Sequence, residues 1–539
     1  MKSLPIGNAD FQSIVEDDLY YVDKTELIER IVEDRGTKAF LFTRPRRFGK
    51  STNLSMIDAF FNLEYRGNTW FDGLKVSSCT ECDTHKNMYP VISISFKDMN
   101  VKSYDIFLEG VAKKIKEVCR GFTYLLGSPI DDVLQDTFEL LRTGRSDETD
   151  LEASLKTLSD ALRAYHDQRA IILIDEYDSP INRSEGDVKE EVLGFMRQFM
   201  SSVLKDNDSL KFGVVTGVFQ IAKENIFSGL NNLYVNNVFS KDFNEMFGFT
   251  ESEVKGILQY YGHPEKMDDI REWYDGYSFG GAEVYNPWSI LSCVKRDLEI
   301  RPYWVWEGNP DIILDSLRAN GIGSLTDLYN GDDVDVPIQE RITYSQLDTP
   351  EGMYSVLVAS GYLKARPVGD GIYRVSIANK EVRNGLIRQL IGGWSVMRLN
   401  DISAAILSGN TETIVSKLRE SLDSSVDPKL LQDEFDYEIF ALGLLDCLKD
   451  SHYVRSEVGA GRGYADIMIT PRDGKGPSAV IELKRSKDKD GDGMQRLADD
   501  ALYQIMDRRY FSALKGKVLL YGVAFQSTDV FISFREINR

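Results

Sequence analysis

In the first half of the chain, apolar residues fall in short unbroken runs. Lys38 to Thr43 (KAFLFT), Ala170 to Ile174 (AIILI) and Lys211 to Val215 (KFGVV) each read as a buried strand. Between the first run and the helically spaced stretch Leu54 to Phe61 lies RPRRFGKST, so the local order is strand, loop, helix. From about Asn244 the pattern turns helical with aromatic punctuation, including WYDGY and the proline-containing YNPWS turn. Glu351 to Tyr362 reads as helix, LKARPVGDGIYRVSI as a hairpin around Gly-Asp-Gly, and NKEVRNGLIRQLIGGWS as another helix. The last part gives a helix (FDYEIFALGLLDCL), two strands (GYADIMIT and AVIELKR) and a helix (RLADDALYQI).

At 539 residues the chain is too long for one core, since domains run on the order of 100 to 200 residues. Apolar residues make up 42% and charged residues 28%, the balance of a globular protein rather than a disordered or membrane one. Without an apolar run of roughly 18 residues or a leader-like start, a cytoplasmic protein with no membrane partner is expected. Five sparse cysteines argue against a disulfide framework and fit a reducing compartment, and Cys79-x-x-Cys82 near His85 is read as an ordinary loop for want of a second ligand pair. The net charge of −21 opposes broad binding to nucleic acid, so any such contact must be local.

Gly49, Lys50 and Ser51 match the second half of a phosphate-binding loop. There, main-chain amides cradle phosphates, the lysine meets the terminal phosphates and the serine ligates magnesium. The first glycine of that pattern would fall at Arg44, and alone the tripeptide reads equally as a basic turn. Asp175 and Glu176, ending the AIILI strand, supply what such a loop needs: one carboxylate to hold Mg²⁺ and another to activate water. Thr216 ends a third strand, where it would sense the γ-phosphate or simply begin a turn. Arg46 and Arg47 are placed to clamp phosphates or to face an acidic neighbour. The aromatics Trp273, Tyr274, Tyr277 and Trp288 are read as core rather than as a base-stacking surface.

Near the C-terminus, Glu438 on a helix, Asp466 on a strand, Glu482 and Lys484 on a strand and Gln504 on a helix follow in the order of PD-(D/E)XK nucleases. Residues two apart on a strand face one side, which puts Glu482 and Lys484 together. Asp466 and Glu482 would hold Mg²⁺ or Mn²⁺ with Glu438 completing the shell. Lys484 would position water and steady the developing charge, and Gln504 would brace the site. Ala465 stands where the motif's name has proline. The acidic run SKDKDGDGM has no glutamate at the twelfth position of a Ca²⁺ loop and is read as an exposed loop.

The chain resembles the AAA-ATPase-like proteins of bacteria and archaea that carry a C-terminal PD-(D/E)XK nuclease-like domain. The resemblance rests on YYVDKTELI, TRPRRFGKS, IDEYDSPI, TGVFQIAKENIFSGLNNL, WYDGYSFGG and VYNPWSI, and Arg44 fits the family's own form of the loop. It implies an α/β protein: a P-loop NTPase (AAA-like) core over 1–240, a helical lid over 241–345, a winged-helix-like linker over 346–405 and a restriction-endonuclease-like α/β domain over 406–539. It implies ATP at Gly49, Lys50, Ser51 and Thr52, with Asp175 and Glu176 as the acidic pair. It leaves a homo-oligomer open. The function expected is a P-loop ATP hydrolase coupled to a metal-dependent nuclease acting on DNA or RNA. The alternative is a nucleotide-dependent switch whose nuclease-like domain only recognises a partner.

Overall fold

A computed structural model describes residues 1–205, 207–219, 227, 233–304, 326–340, 349–390, 396–425, 434–445, 448, 451–486, 491–526 and 528–539. The chain divides into two compact units. One comprises Met1–Trp304, Pro337–Leu347 and Tyr354–Arg366; the other comprises Val305–Val336, Asp348–Met353 and Pro367–Arg539.

The three apolar runs become β1 (Ala39–Thr43), β3 (Ala170–Asp175) and β4 (Leu210–Gly217), and two strands that the sequence reading did not include, β2 (Val91–Ser95) and β5 (Leu233–Asn236), join them. They form one parallel sheet in the order β2-β3-β4-β1-β5. Unbroken apolar strands suit a parallel sheet because both faces are covered by helices. The helix Lys50–Phe61 follows β1 directly, and its Phe60 and Phe61 join Phe40, Phe42 and Phe212 in one buried aromatic cluster. Because β4 lies between β1 and β3, the loop after β1 and the acids after β3 open on the same edge, at the carboxyl ends of the strands.

Beyond β5, the helix Glu251–Tyr260 starts with a capping box between Thr250 and Glu253, and the helices Met267–Tyr274 and Pro287–Lys295 follow. The expected YNPWS turn is the start of that last helix, with Asn286 capping Ser289 N and Pro287 in the first turn. WYDGYSFGG adds an antiparallel hairpin of β6 (Tyr277–Phe279) and β7 (Ala282–Val284). Further on come β8 (Val334–Pro337), the helix Pro350–Ala359, β9 (Leu363–Gly369), β10 (Ile372–Ile377) and the helix Lys380–Leu390, with Gly369, Asp370 and Gly371 all at positive φ between the last two strands.

In the second unit, β11 (His452–Ala460), β12 (Gly463–Pro471), β13 (Ser478–Arg485), β14 (Lys517–Gln526) and β15 (Asp529–Asn538) form a sheet in chain order, parallel only between β13 and β14. The helix Gly491–Arg508 makes the crossover that a parallel pair requires. Its Ile505 packs with Val518 and Leu520 of β14, whereas Leu519 and Tyr521 join Ile402, Ile406 and Phe440 of the helices Val396–Ser408 and Glu434–Leu444. The alternation along β14 therefore covers the sheet on both faces.

Two expectations need comment. Cys79 and Cys82, read as an ordinary loop, are bridged as a disulfide. Cys79 caps a single helical turn, Thr80–Asp83, which brings its Cα to 5.2 Å from that of Cys82, within disulfide reach. Residues 487–490 of the acidic run, Cys447 and most of the stretch from Gln220 to Asn232 lie outside the described residues. Among the described residues, no helix is long and apolar enough to cross a membrane.

Candidate functional site

Gly49, at φ 82°, turns the chain from the loop into the helix that begins at Lys50. Lys50 is buried, and its Nζ donates to the main-chain oxygens of Arg44 and Pro45, both at 2.9 Å. Burial lowers its pKa, opposed by the charges of Asp175, Asp178 and Glu176. Ser51 Oγ donates to Asp175 Oδ2 at 2.6 Å, and the Thr216 hydroxyl donates to Asp175 Oδ1. Residues from three separate runs of the sequence thus meet at Asp175. Glu176 takes a left-handed backbone (φ 51°), and burial, reinforced by Asp175, raises its pKa. Thr52 follows Ser51, half-buried.

Arg46 and Arg47 are exposed. The main-chain oxygen of Arg46 accepts from Trp304 Nε1 at 3.0 Å, and the Arg47 guanidinium lies 4.3 Å over the ring of Trp288. Tyr274 and Tyr277 are core residues, while Trp273 and Trp288 are half-buried at the core's edge.

Two residues here have buried roles that the sequence reading did not include. Arg44 is fully buried, bonded to Asn236 and flanked by the rings of Phe247 and Phe279, each 5.1 Å away. Its replacement of a glycine was the signal. Asp178 is also buried, and its Oδ2 accepts from the amides of Val218 and Phe219 at 2.9 and 3.0 Å, holding the chain as it leaves β4. Only the IDEYD string hints at it.

In the second unit, Glu438 sits on the helix Glu434–Leu444, Asp466 on β12, Glu482 and Lys484 on β13, and Gln504 on the helix Gly491–Arg508. Gln504 Nε2 donates to Glu482 Oε1, and Lys484 Nζ lies 3.5 Å from the same oxygen. Asp466 Oδ2 accepts from Leu483 N at 2.6 Å. Burial, then the charge of Asp466, pushes the pKa of Glu438 up to about 8 and that of Glu482 up to about 7. Glu438 Oε1 and Glu482 Oε2 are buried without a hydrogen-bond partner among the described residues.

Unsatisfied buried carboxylate oxygens beside a third carboxylate suit a hard divalent cation. Among the described residues, however, no three His, Cys, Asp or Glu side chains are already gathered closely enough to hold one. Glu457 was not anticipated. Its neighbours pair in the order Ser456 with Ile467 and Val458 with Ala465, which sets Glu457 opposite Asp466, and its backbone is left-handed at φ 49°. Backbone irregularity of this kind often sits beside functional sites.

Residues 5–227, which contain the Lys50 and Asp175 constellation, match the family model described as Predicted AAA-ATPase. Residues 432–535, which contain Glu438 through Gln504, match the PD-(D/E)XK nuclease superfamily. One chain thus carries a segment that matches a predicted AAA-ATPase and, nearer its C-terminus, a segment that matches the PD-(D/E)XK nuclease superfamily. A curated relative, an uncharacterised protein from the vnfD 5′ region of Azotobacter chroococcum mcd 1, is 34% identical over 320 residues, covering 59% of this chain and 56% of that protein. The match therefore spans little more than half the length of that relative. Among solved structures, the Walker-type ATPase PABY2304 of Pyrococcus abyssi aligns at 14% identity with a TM-score of 0.39, over 68% of this chain and 96% of its own. The ORC2 protein of Aeropyrum pernix, in ADPNP–ADP complexes, aligns at 12% identity with a TM-score of 0.28 over the same shares. In the segment that matches the AAA-ATPase model, Lys50, Ser51 and Asp175 stand at one edge of a parallel sheet. In the PD-(D/E)XK domain, Glu482, Lys484 and Gln504 meet around a single carboxylate oxygen.

Proposed function

We propose that this chain binds and hydrolyses ATP with Mg²⁺ in its N-terminal domain, and that the nucleotide state controls metal-dependent cleavage of DNA or RNA in its C-terminal domain. The observation that carries the nuclease half is the pair of buried carboxylates, Glu438 and Glu482, each with an unpartnered oxygen beside Asp466. Such groups are costly to bury, and a bound cation removes that cost. In this reading 1–240 is the ATPase domain, 241–345 its lid, 346–405 a winged-helix-like linker and 406–539 the nuclease domain.

At the nucleotide site, the amides of Gly49 to Thr52 receive the phosphates, and Lys50 exchanges the Arg44 and Pro45 carbonyls for phosphate oxygens. Ser51 and Asp175 would hold Mg²⁺, Thr216 would contact the γ-phosphate, and the exposed Arg46 and Arg47 would reach it from solvent. Glu176, with its raised pKa, takes the proton of the attacking water.

At the nuclease site, Asp466, Glu482 and Glu438 would hold Mg²⁺ or Mn²⁺, which would supply Lewis acidity and activate water for attack. Lys484 lies against Glu482 and offers its charge to the phosphodiester as negative charge builds on it. Gln504 fixes Glu482 in orientation, the service that outer hydrogen bonds give metal-binding carboxylates.

A second reading, a nucleotide-dependent switch that binds through its nuclease-like domain without cutting, draws support from the net charge of −21. The deciding experiment follows phosphate release and strand cleavage together, with purified wild type, Lys50→Ala and Asp466→Ala, Mg²⁺ or Mn²⁺, ATP, and a panel of DNA and RNA. Cleavage lost in Asp466→Ala and altered in Lys50→Ala is the expected result. ATP turnover with no cleavage of any substrate would sink the nuclease half and leave the switch.

A further inference from the structure

A chain with 85 acidic and 64 basic residues repels polyanions over most of its surface, so a nucleic-acid contact has to be built locally. One corner of the second unit has the right chemistry. It is organised around Gln504, whose Nε2 donates both to Glu482 Oε1 and, at 3.2 Å, to the hydroxyl of Tyr510. Gly463 lies against that hydroxyl, since a Cβ added there would stand 3.1 Å from it. Three pieces of chain therefore meet beside Glu482: the start of β12, the middle of the helix Gly491–Arg508, and the turn that follows the helix.

Each piece carries exposed side chains next to its contact residue. Arg462 and Tyr464 flank Gly463, Tyr503 precedes Gln504, and Arg508 and Arg509 precede Tyr510. The arginines are drawn together by main-chain contact. Arg462 N donates to Arg508 O at 2.8 Å, and Gly461, at φ 58°, packs so closely on the oxygens of Arg508 and Arg509 that no Cβ would fit. Tyr464 is 71% exposed and Tyr503 69%, against 3% for Tyr510 behind them. Burial therefore does not account for these two large aromatic side chains, which adjoin in sequence the residues that meet Glu482 and Tyr510. The acids nearest these side chains are Asp507, 3.9 Å from Arg508, and the exposed Asp499 and Asp500 one helical turn before Tyr503.

The geometry points to a single-stranded nucleic acid as the ligand of this corner, with unpaired bases stacked on Tyr464 and Tyr503 and phosphates neutralised by Arg462, Arg508 and Arg509. Aromatic faces are open to bases only when the bases are unpaired, whereas arginines alone would serve a duplex equally well. The inference rests on the nuclease reading of the adjoining carboxylates, because it delivers the strand to Glu482 and its neighbours.

Binding is measured by fluorescence anisotropy with the full chain in EDTA and a labelled oligothymidylate, an oligouridylate and a duplex, across a salt series. Both single strands should bind more tightly than the duplex. Tyr464→Ala and Tyr503→Ala should each weaken single-strand binding about tenfold, with Tyr464→Phe retaining it. The combined Arg462→Ala, Arg508→Ala and Arg509→Ala variant should reduce the salt slope by about 0.7 for each arginine. All five side chains are exposed, so thermal unfolding midpoints should stay at the wild-type value and exclude misfolding as the cause. Equal affinity for duplex and single strand, unchanged binding in both tyrosine variants, or no binding to any probe would overturn the proposal. Tight single-strand binding without cleavage in Mn²⁺ would leave this surface standing and sink the nuclease reading; cleavage without single-strand binding would sink the surface alone.

Discussion

The guanidinium of Arg44 donates to Asn236 twice, to its main-chain oxygen at 3.0 Å and its side-chain oxygen at 2.5 Å, while Asn236 Nδ2 donates to Asp242 O at 2.6 Å. The pair ties the start of the loop that follows β1 to the end of β5. Burial lowers the Arg44 pKa to about 9, so the group stays charged at neutral pH while its acceptors here, including Thr43 O, are uncharged. Removing one partner of such a contact strands the other. Asn236→Ala should therefore cost about 2–4 kcal/mol, read as a lower urea midpoint. Asn236→Asp, which offers the cation a carboxylate, should retain more stability than the alanine variant. Equal stability of wild type and Asn236→Ala would show that the loop is not held this way.

Lys50 Nζ donates to the Arg44 and Pro45 carbonyls, both at 2.9 Å. Lys50→Ala gives up two hydrogen bonds but also relieves a buried cation, so its stability without ligand should stay within about 1 kcal/mol of wild type. The stabilisation conferred by ATP and Mg²⁺, about 2.7 kcal/mol at a hundredfold excess over Kd, should disappear. Differential scanning fluorimetry with and without nucleotide separates the two effects. A retained ATP shift in Lys50→Ala would remove the loop from the nucleotide site.

Three strands of the parallel sheet, though not β2 or β5, were legible because burial on both faces writes itself as an unbroken apolar run, as in Ala170 to Ile174. The acids and hydroxyls at their ends were legible for the same reason: Asp175 and Thr216 stand where such runs stop. Arg44 was not, because a buried arginine is recognisable only from what surrounds it, and Asn236, Phe247 and Phe279 lie some two hundred positions along the chain. The β6–β7 hairpin was hidden by aromatic residues whose spacing suits helix as well as strand, so that Tyr277 and Phe279 betray a strand only through their burial. Glu457 gave no local signal, since only strand pairing sets it opposite Asp466. The bridge between Cys79 and Cys82 depends on a helical turn too short to show periodicity.

Gln504 and Lys484 both address Glu482 Oε1, but only Gln504 brings no charge of its own. Its removal should change orientation more than electrostatics. Gln504→Ala is expected to weaken Mn²⁺ binding roughly 10- to 100-fold, measured by isothermal titration calorimetry. Gln504→Glu should weaken it through the lost donor, even though it adds a negative charge. Tighter binding in Gln504→Glu than in wild type would mean that charge, not orientation, governs the site.

Asp58, near the end of the helix Lys50–Phe61, has its carboxyl buried, and burial pushes its pKa from 3.8 up to about 6, against the opposing hydrogen bond from Asn62 Nδ2 at 2.9 Å. The native state therefore favours the protonated form. The stabilisation from this group is complete below 3.8, the unfolded value, and is lost as pH rises through about 6. At neutral pH the wild type carries a buried carboxylate close to the negative end of a helix dipole. Asn at this position keeps an oxygen to accept from Asn62 and never ionises. Asp58→Asn should thus match the wild type near pH 4 and exceed it by about 1 kcal/mol at pH 8, removing part of the slope of stability between those values. Urea unfolding across this range checks the sign directly. A wild type more stable than Asp58→Asn at pH 8 would require a cationic partner for Asp58, and the carboxylate would then belong to an ion pair rather than to a solvent-starved helix end.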